Sequence, residues 1–91
     1  MTKLDEVRLL IDDIDSKIIE LYEKRMDIIL EVTKYKMENN IPVLDASREA
    51  AMLTKNINKI DNESYKQYYP LVLDGFLKAS KEMQKELLKK Q

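Results

Sequence analysis

Arg25 is the residue whose chemistry is least expected for its position in this chain. It falls within a series of apolar residues that recur at steps of three and four, which is typical of the buried face of a long helix. A guanidinium keeps its proton, and burying it without a partner is costly. A carboxylate or a bound anion is therefore expected beside it. The apolar members of this series, hereafter the apolar stripe, are Leu4, Val7, Ile11, Ile14, Ile18, Leu21, Ile28, Val32 and Tyr35.

Two more cations, Arg8 and Lys36, lie on the row that flanks the apolar stripe. Arg25 and Lys36 face almost the same way and are about 16 Å apart along a helix, so they are spaced to hold opposite ends of one small anion. Arg8 is about 25 Å from Arg25 on the same helix, too far to share that ligand. If two copies of the helix pair antiparallel, Arg8 of one chain approaches Arg25 and Lys36 of the other. The pattern thus predicts a cationic site completed across an interface.

Polar groups further along the chain are suited to complete such a site. Ser80 and Gln84 are neutral hydrogen-bonding residues one turn apart on an otherwise apolar face of the last predicted helix. Asp45, Arg48 and Glu49 open the preceding helix. Free backbone N–H groups at a helix start favour a negative or hydroxyl group nearby.

Each of these residues also has an ordinary structural interpretation. Arg25 could pair with Asp27 or Glu31, and Arg8 could pair at the surface with Asp5, Glu6 or Asp12. Lys36 could be solvated near the helix end. Asp45 could be a helix cap paired with Arg48, and the polar residues of the last helix could be boundary residues. The set as a whole, rather than any single member, favours a binding site.

The composition excludes several classes of function. Histidine and cysteine are both absent, which removes disulfides, thiol chemistry, nearly all zinc and haem sites, and Ser-His or Cys-His nucleophiles. Sixteen basic and seventeen acidic residues nearly cancel, so nucleic-acid binding by bulk charge is not expected. With no apolar signal core and no run long enough to span a bilayer, a cytoplasmic location without a membrane partner is expected.

One glycine and two prolines in 91 residues favour an all-α protein, because sheets need more turn residues than this chain has. Periodicity and breakers predict a long, a short and a medium helix, at about 3–38, 46–58 and 64–88. We assign them to a single domain, 1–91. Thr2 is the expected N-cap of the first helix.

The predicted first helix is too long for a compact monomer. At 1.5 Å per residue it extends roughly 54 Å, whereas a chain of this size has a radius of gyration of about 12 Å. Part of its apolar stripe would remain in water. A second copy of the chain is the simplest partner that could bury this part of the stripe, so we expect a homodimer.

Taken together, these residues resemble the all-helical, type II class of chorismate mutase, from about Leu4 to Leu88. The pattern of that family has an arginine early in the first helix, another in its middle and a lysine near its end. A D-x-x-R-E segment then opens the second helix, and a Ser-x-x-x-Gln pair lies on the third. Pro70 and Gly75 are less expected in the third helix. The matching residues here are Arg8, Arg25, Lys36, Asp45, Arg48, Glu49, Ser80 and Gln84.

The resemblance implies conversion of chorismate to prephenate, the branch-point step towards phenylalanine and tyrosine. It also implies an intertwined helical homodimer with two equivalent sites. This Claisen rearrangement is intramolecular and pericyclic, so it needs no nucleophile, proton transfer, metal or cofactor. The protein has to bind a flexible dianion in its compact conformation and stabilise charge as the C–O bond breaks.

The resemblance further implies roles at the charged end of the substrate. Arg8 of the partner chain, Arg25 and Lys36 would hold the two carboxylates, with Ser80 assisting directly or through water. Lys36 and Gln84 would donate hydrogen bonds to the ether oxygen as it gains negative charge. Lys36, Gln84 and Arg25 are therefore the expected catalytic residues.

A separate group is implied for the ring hydroxyl of the substrate. Glu49, with the backbone at Asp45, would hold this hydroxyl. Arg48 would support the wall of the site.

Three alternatives stay open at this stage. An isochorismate pyruvate lyase has the same fold and a similar polar set. A partner-dependent regulatory domain would need another protein for activity. A helical dimerisation module without a ligand would have to explain why Arg25, Lys36, Glu49 and Gln84 all lie near the core.

Overall fold

The computed structural model describes residues 2–90 and is built from helices. They are α1 (Lys3–Glu38), α2 (Ala46–Ile57), a 3₁₀ helix (Glu63–Tyr68) and α3 (Tyr69–Lys89). No strand occurs among the described residues, so the all-α prediction is confirmed. Residues 1 and 91, the ends of the predicted domain, lie outside the described part. Internal contacts divide the chain into two compact units, Met1–Val32 (unit 1) and Thr33–Gln91 (unit 2).

The start of α1 is fixed by a reciprocal cap, as its sequence predicts. The backbone N–H of Asp5 donates to Thr2 Oγ1 at 3.1 Å, and the backbone N–H of Thr2 donates to Asp5 Oδ2 at 3.2 Å. Both groups belong to the helix start, where N–H donors have no partner within the helix. Asp5 and Glu6 also place negative charge at the positive end of the helix dipole.

Unit 1 is a helical segment whose large apolar side chains are mostly exposed. Leu21 and Ile28 are 63% and 59% exposed, and the rest of the apolar stripe before residue 33 is also exposed except for the half-buried Val7. Leu10, beside the stripe, is 62% exposed. Burying a side chain of this size typically contributes about 1.5–3 kcal/mol. An exposed apolar surface of this extent is typical of a protein–protein contact.

The connector after α1 begins with a left-handed residue. Asn40 has φ 55°, a conformation that asparagine tolerates better than most residues. Its N–H donates to Met37 O, and the N–H of Ile41 donates to Lys36 O at 2.8 Å. These two bonds form a Schellman motif, which satisfies the last carbonyls of α1. The chain leaves the helix at a defined point, immediately beyond Lys36.

Asp45 caps α2, as predicted. Its Oδ1 accepts hydrogen bonds from the backbone N–H of Arg48 at 3.1 Å and from Ser47 Oγ at 2.8 Å. The Arg48 N–H, followed by the Ser47 hydroxyl, lowers the pKa of Asp45 below its ordinary value. Asp45 and Arg48 are thus joined by a hydrogen bond from the Arg48 backbone N–H.

The third helix begins later than its sequence pattern suggests. A 3₁₀ helix occupies Glu63–Tyr68, and α3 starts at Tyr69 instead of near residue 64. Asn62 caps the 3₁₀ segment by accepting from the N–H of Ser64 at 3.0 Å. Pro70 lies in the first turn of α3, where its missing N–H has no helical partner to lose. Pro70 therefore starts the helix and does not kink it.

The most buried residues of unit 2 are Thr33, Leu73, Ser80 and Gln84. Three of these four are polar, which is unusual for the centre of a small helical unit. Asn56 Nδ2 also donates to the Tyr69 hydroxyl at 3.1 Å, which joins α2 to α3. Within residues 2–90, no helix is both long and apolar enough to cross a membrane.

The Asp45 cap predicts a pH-dependent loss of stability. Because the folded-state pKa is lowered, the stabilisation is complete above the unfolded value near 3.8 and is lost as the pH falls through the folded value. At neutral pH we expect Asp45→Ala to lower the melting temperature by about 4–8 °C, and Asp45→Asn by less, because asparagine also caps. Thermal unfolding followed by circular dichroism measures both.

Asp61→Ala is the matched control, since Asp61 is an exposed acid outside the helices. The difference between wild type and Asp45→Ala should shrink when the melts are repeated below the folded pKa of Asp45. An undiminished difference in acid would show that the ionised cap is not its source.

Candidate functional site

The predicted site residues are divided between the two units. Unit 1 carries Arg8, which is exposed, and Arg25, which is half-buried in the middle of α1. Unit 2 carries the other six, which come from the end of α1, the start of α2 and the second half of α3. These six are Lys36, Asp45, Arg48, Glu49, Ser80 and Gln84.

Lys36 is held between the end of α1 and the connector. It is half-buried, and its Nζ donates to Val43 O at 3.3 Å. An ammonium has three N–H donors, so this bond orients the side chain and leaves donors for an anion. Its charge also contributes to the lowered pKa of Asp45, after the Arg48 N–H and the Ser47 hydroxyl. An open pocket of about 450 Å³ lies beside it, lined also by connector residues 40–44 and Leu88.

Gln84 is buried against the end of α1. Its Nε2 donates to Thr33 Oγ1 at 3.2 Å, and the two residues are 8% and 0% exposed. A carboxamide has two N–H donors and one carbonyl acceptor, so this bond uses one donor and leaves the other. Thr33 and Lys36 are three residues apart on α1, about 4.5 Å along its axis. The amide of Gln84 therefore lies against the same end of α1 that carries Lys36.

Ser80 is buried one turn before Gln84 on α3. Its hydroxyl donates to Phe76 O, four residues earlier in the same helix, at 2.9 Å. This bond uses the hydroxyl hydrogen within α3. To donate to a substrate carboxylate, as predicted, the hydroxyl has to rotate away from Phe76 or act through a water molecule.

Glu49 is joined to α3 by an ion pair. Its Oε2 lies 3.1 Å from Lys81 Nζ, and both side chains are about two-thirds buried or more. Other ion pairs, such as Lys78 with Asp74, connect residues of one helix. An open pocket of about 290 Å³ lies between α2 and α3, with Glu49 beside apolar residues such as Leu53, Leu73 and Leu77. The Glu49 carboxylate is thus held at the rim of a mostly apolar space.

Asp45 and Arg48 are exposed, in contrast to Glu49. Oδ1 of Asp45 is used by the helix cap, and a ligand contact through the backbone at Asp45 stays a prediction. The side chain of Arg48 is exposed at the same helix start.

Thr33 and Lys81 are the two contact residues that sequence reasoning missed. Thr33 lies at helical spacing from Lys36, and Lys81 follows Ser80 directly. Neither type is unusual at its position: a threonine in a helix and a lysine on an amphipathic helix are common. Only the packing of α3 on its neighbours shows that they contact Gln84 and Glu49.

A protein-family model described as chorismate mutase type II matches residues 7–85. The chain belongs to the chorismate mutase type II family. This membership confirms the resemblance inferred from the polar residues, and it supports an isomerase of aromatic amino acid biosynthesis. All eight predicted site residues fall within the matched range.

Curated relatives agree with this family. The chain is 33% identical over 85 residues to a bifunctional chorismate mutase/prephenate dehydratase of Buchnera aphidicola from Acyrthosiphon pisum, covering 88% of this chain and 21% of the relative. The corresponding protein of the subspecies Schizaphis graminum is 33% identical over 82 residues, with the same shares covered. A Haemophilus influenzae protein named T-protein is 36% identical over 53 residues, or 58% of this chain and 14% of that protein. The chain thus spans about a fifth or less of these relatives' length.

The Glu49–Lys81 pair predicts a measurable coupling between α2 and α3. Exposed ion pairs typically contribute about 0.2–1 kcal/mol, and we expect a value towards the top of that range here because both side chains are only partly exposed. We expect Lys81→Met to lower the free energy of unfolding in the wild-type background but much less in a Glu49→Gln background. Urea denaturation of the four proteins of this double-mutant cycle measures the coupling.

Lys78→Met is the matched control on the same helix, because the Lys78–Asp74 pair is more exposed and stays within α3. An equal loss from Lys81→Met in both Glu49 backgrounds would mean that the contribution of Lys81 does not depend on the Glu49 carboxylate.

Proposed function

We propose that this chain catalyses the rearrangement of chorismate to prephenate. The observation that carries the proposal is the buried amide of Gln84, held by Thr33 at the end of α1 that also holds Lys36. The family membership over residues 7–85 gives this pair of donors its expected substrate. An amide and an ammonium at one helix end are suited to donate hydrogen bonds to an oxygen that gains negative charge.

The reaction requires correctly placed charges, and it requires no nucleophile and no proton transfer from the protein. As the ether C–O bond of chorismate breaks, electron density collects on the ether oxygen. Donors already oriented towards that oxygen stabilise the transition state more than the ground state, and one such donor typically contributes about 2.7–4 kcal/mol. In the proposed complex Lys36 and the second N–H of Gln84 supply these hydrogen bonds. Because neither donor has to be reoriented, the barrier falls.

The remaining polar groups fit the other parts of the substrate. Arg25 and Lys36 hold the carboxylates, and the Ser80 hydroxyl assists once it leaves Phe76 O or through water. Glu49, oriented by Lys81, accepts the hydrogen bond of the ring hydroxyl with backbone at Asp45. Fixing both ends of the substrate favours its compact reactive conformation over the extended ones.

The proposed active form is an intertwined homodimer. The exposed apolar side chains of unit 1 support it, because a second α1 laid along this surface removes them from water. The exposed Arg8 then reaches the site of the partner chain and adds a third cation for the substrate dianion. Each site is therefore expected to need residues from both chains.

A turnover assay with product identification tests the proposed reaction. We expect purified protein to consume chorismate and form prephenate, and Lys36→Ala to lower kcat/KM by about a hundredfold or more, because a donor and a counter-charge are both lost. Lys34→Ala is the matched control, since Lys34 is an exposed lysine on the same helix.

The substrate is tested in the same assay. Turnover of isochorismate but not chorismate by a folded protein would replace the mutase with the lyase. Turnover only after addition of another protein would support a partner-dependent domain.

Mixing two inactive variants tests whether Arg8 acts across the dimer. After subunit exchange, an Arg8→Ala chain and an Arg25→Ala chain should form heterodimers with one intact site, recovering about a quarter of wild-type activity per chain. Mixing Arg25→Ala with Lys36→Ala should recover none, because both residues are expected to serve the site of their own chain.

Sedimentation at micromolar concentration verifies the dimer and mass spectrometry verifies the exchange. A stable, active monomer would overturn the shared-site proposal. Confirmed heterodimers without recovered activity would show that Arg8 does not act in trans.

A further inference from the structure

The Gln84–Thr33 contact raises the question of which way the carboxamide of Gln84 is turned. A carboxamide presents N–H donors on one side and a carbonyl acceptor on the other, and the two orientations fill nearly the same volume. If the carbonyl faced an anionic oxygen, the interaction would be repulsive. A glutamine therefore acts as a donor reliably only when a neighbour distinguishes its nitrogen from its oxygen.

Thr33 is placed to make that distinction. It is fully buried, and its Oγ1 lies 3.2 Å from Gln84 Nε2. A threonine within a helix commonly donates its hydroxyl hydrogen to a carbonyl three or four residues earlier. The hydroxyl oxygen is then an acceptor for its other neighbour, which favours the nitrogen of Gln84 over its carbonyl oxygen.

We propose that Thr33 is a positioning residue that fixes the carboxamide of Gln84, so that its second N–H is presented to the reacting oxygen. This inference rests on the proposed mutase function of the same site. Thr33 does not contact the substrate in this role. It acts by excluding the orientation in which the carbonyl of Gln84 would meet the developing negative charge.

The matched substitutions are Thr33→Val, which removes the hydroxyl at nearly constant volume, and Thr33→Ser, which keeps it. We expect Thr33→Val to lower kcat about three- to tenfold with little change in KM, because one neutral hydrogen bond sets the orientation. Thr33→Ser should retain most of the wild-type kcat. Thr54→Val is the control for removing a helical threonine hydroxyl elsewhere, since the Thr54 hydroxyl donates to the backbone carbonyl of Ala50 in its own helix.

If Thr33 positions Gln84, the loss of kcat in Thr33→Val must depend on the presence of Gln84. In a Gln84→Ala background, Thr33→Val should cause no further loss of kcat. An equal loss in both backgrounds would overturn the positioning role and indicate a general packing defect. Wild-type kcat in Thr33→Val would overturn it as well.

NMR of the side-chain amides tests the contact without turnover. In wild-type protein we expect slow exchange of one Gln84 carboxamide proton and a nuclear Overhauser effect from that proton to the Thr33 methyl group. Fast exchange of both protons without this effect would reject the orientation even if Thr33→Val does not fold. If wild type does not convert chorismate, the proposed function and the catalytic role of Thr33 both fail, while the NMR result still decides whether Thr33 orients Gln84.

Discussion

The length of α1 is the constraint on which the rest of this protein depends. This helix has 36 residues, and its apolar stripe extends from Leu4 to Tyr35. In unit 1 that surface is exposed, with Ile11, Ile14 and Ile18 about half accessible to solvent. The hydrophobic effect therefore favours a further partner for this helix. In the proposed dimer, a partner on this surface also receives Arg8 at its own site.

The C-terminal end of α1 differs from unit 1, because backbone groups at a helix end need polar partners. Helix ends leave carbonyls and N–H groups without helical partners, and this chain satisfies them with asparagine and aspartate at Asn40 and Asp45. The same region holds Lys36 through a connector carbonyl. The backbone carbonyl of Val43, which would otherwise need a hydrogen bond from water, thus orients the Lys36 ammonium. Buried Thr33 and Gln84 satisfy each other in the same way, which removes the usual cost of burying polar side chains.

Local structure could be predicted well where a local cause was sufficient. Uninterrupted periodicity predicted the long helix, and the side chains of Thr2 and Asp45 predicted its start and the start of α2. The beginning of α3 was placed too early, because residues 63–68 are compatible with either helix type and Pro70 only limits where regular α-helix begins. The polar set stays a prediction, which began from the cost of a guanidinium in an apolar stripe.

By itself, the sequence determined the all-α class, the family and the types of groups available to a ligand. These follow from composition, periodicity and the order of a few polar residues, all of which are properties of the chain read along its length. Tertiary structure alone decided that Gln84 meets Thr33 and that Glu49 meets Lys81. Residues 51 positions apart come together only through the packing of helices. A helical pattern specifies which face of a helix is buried, but not which residue of another helix lies opposite it.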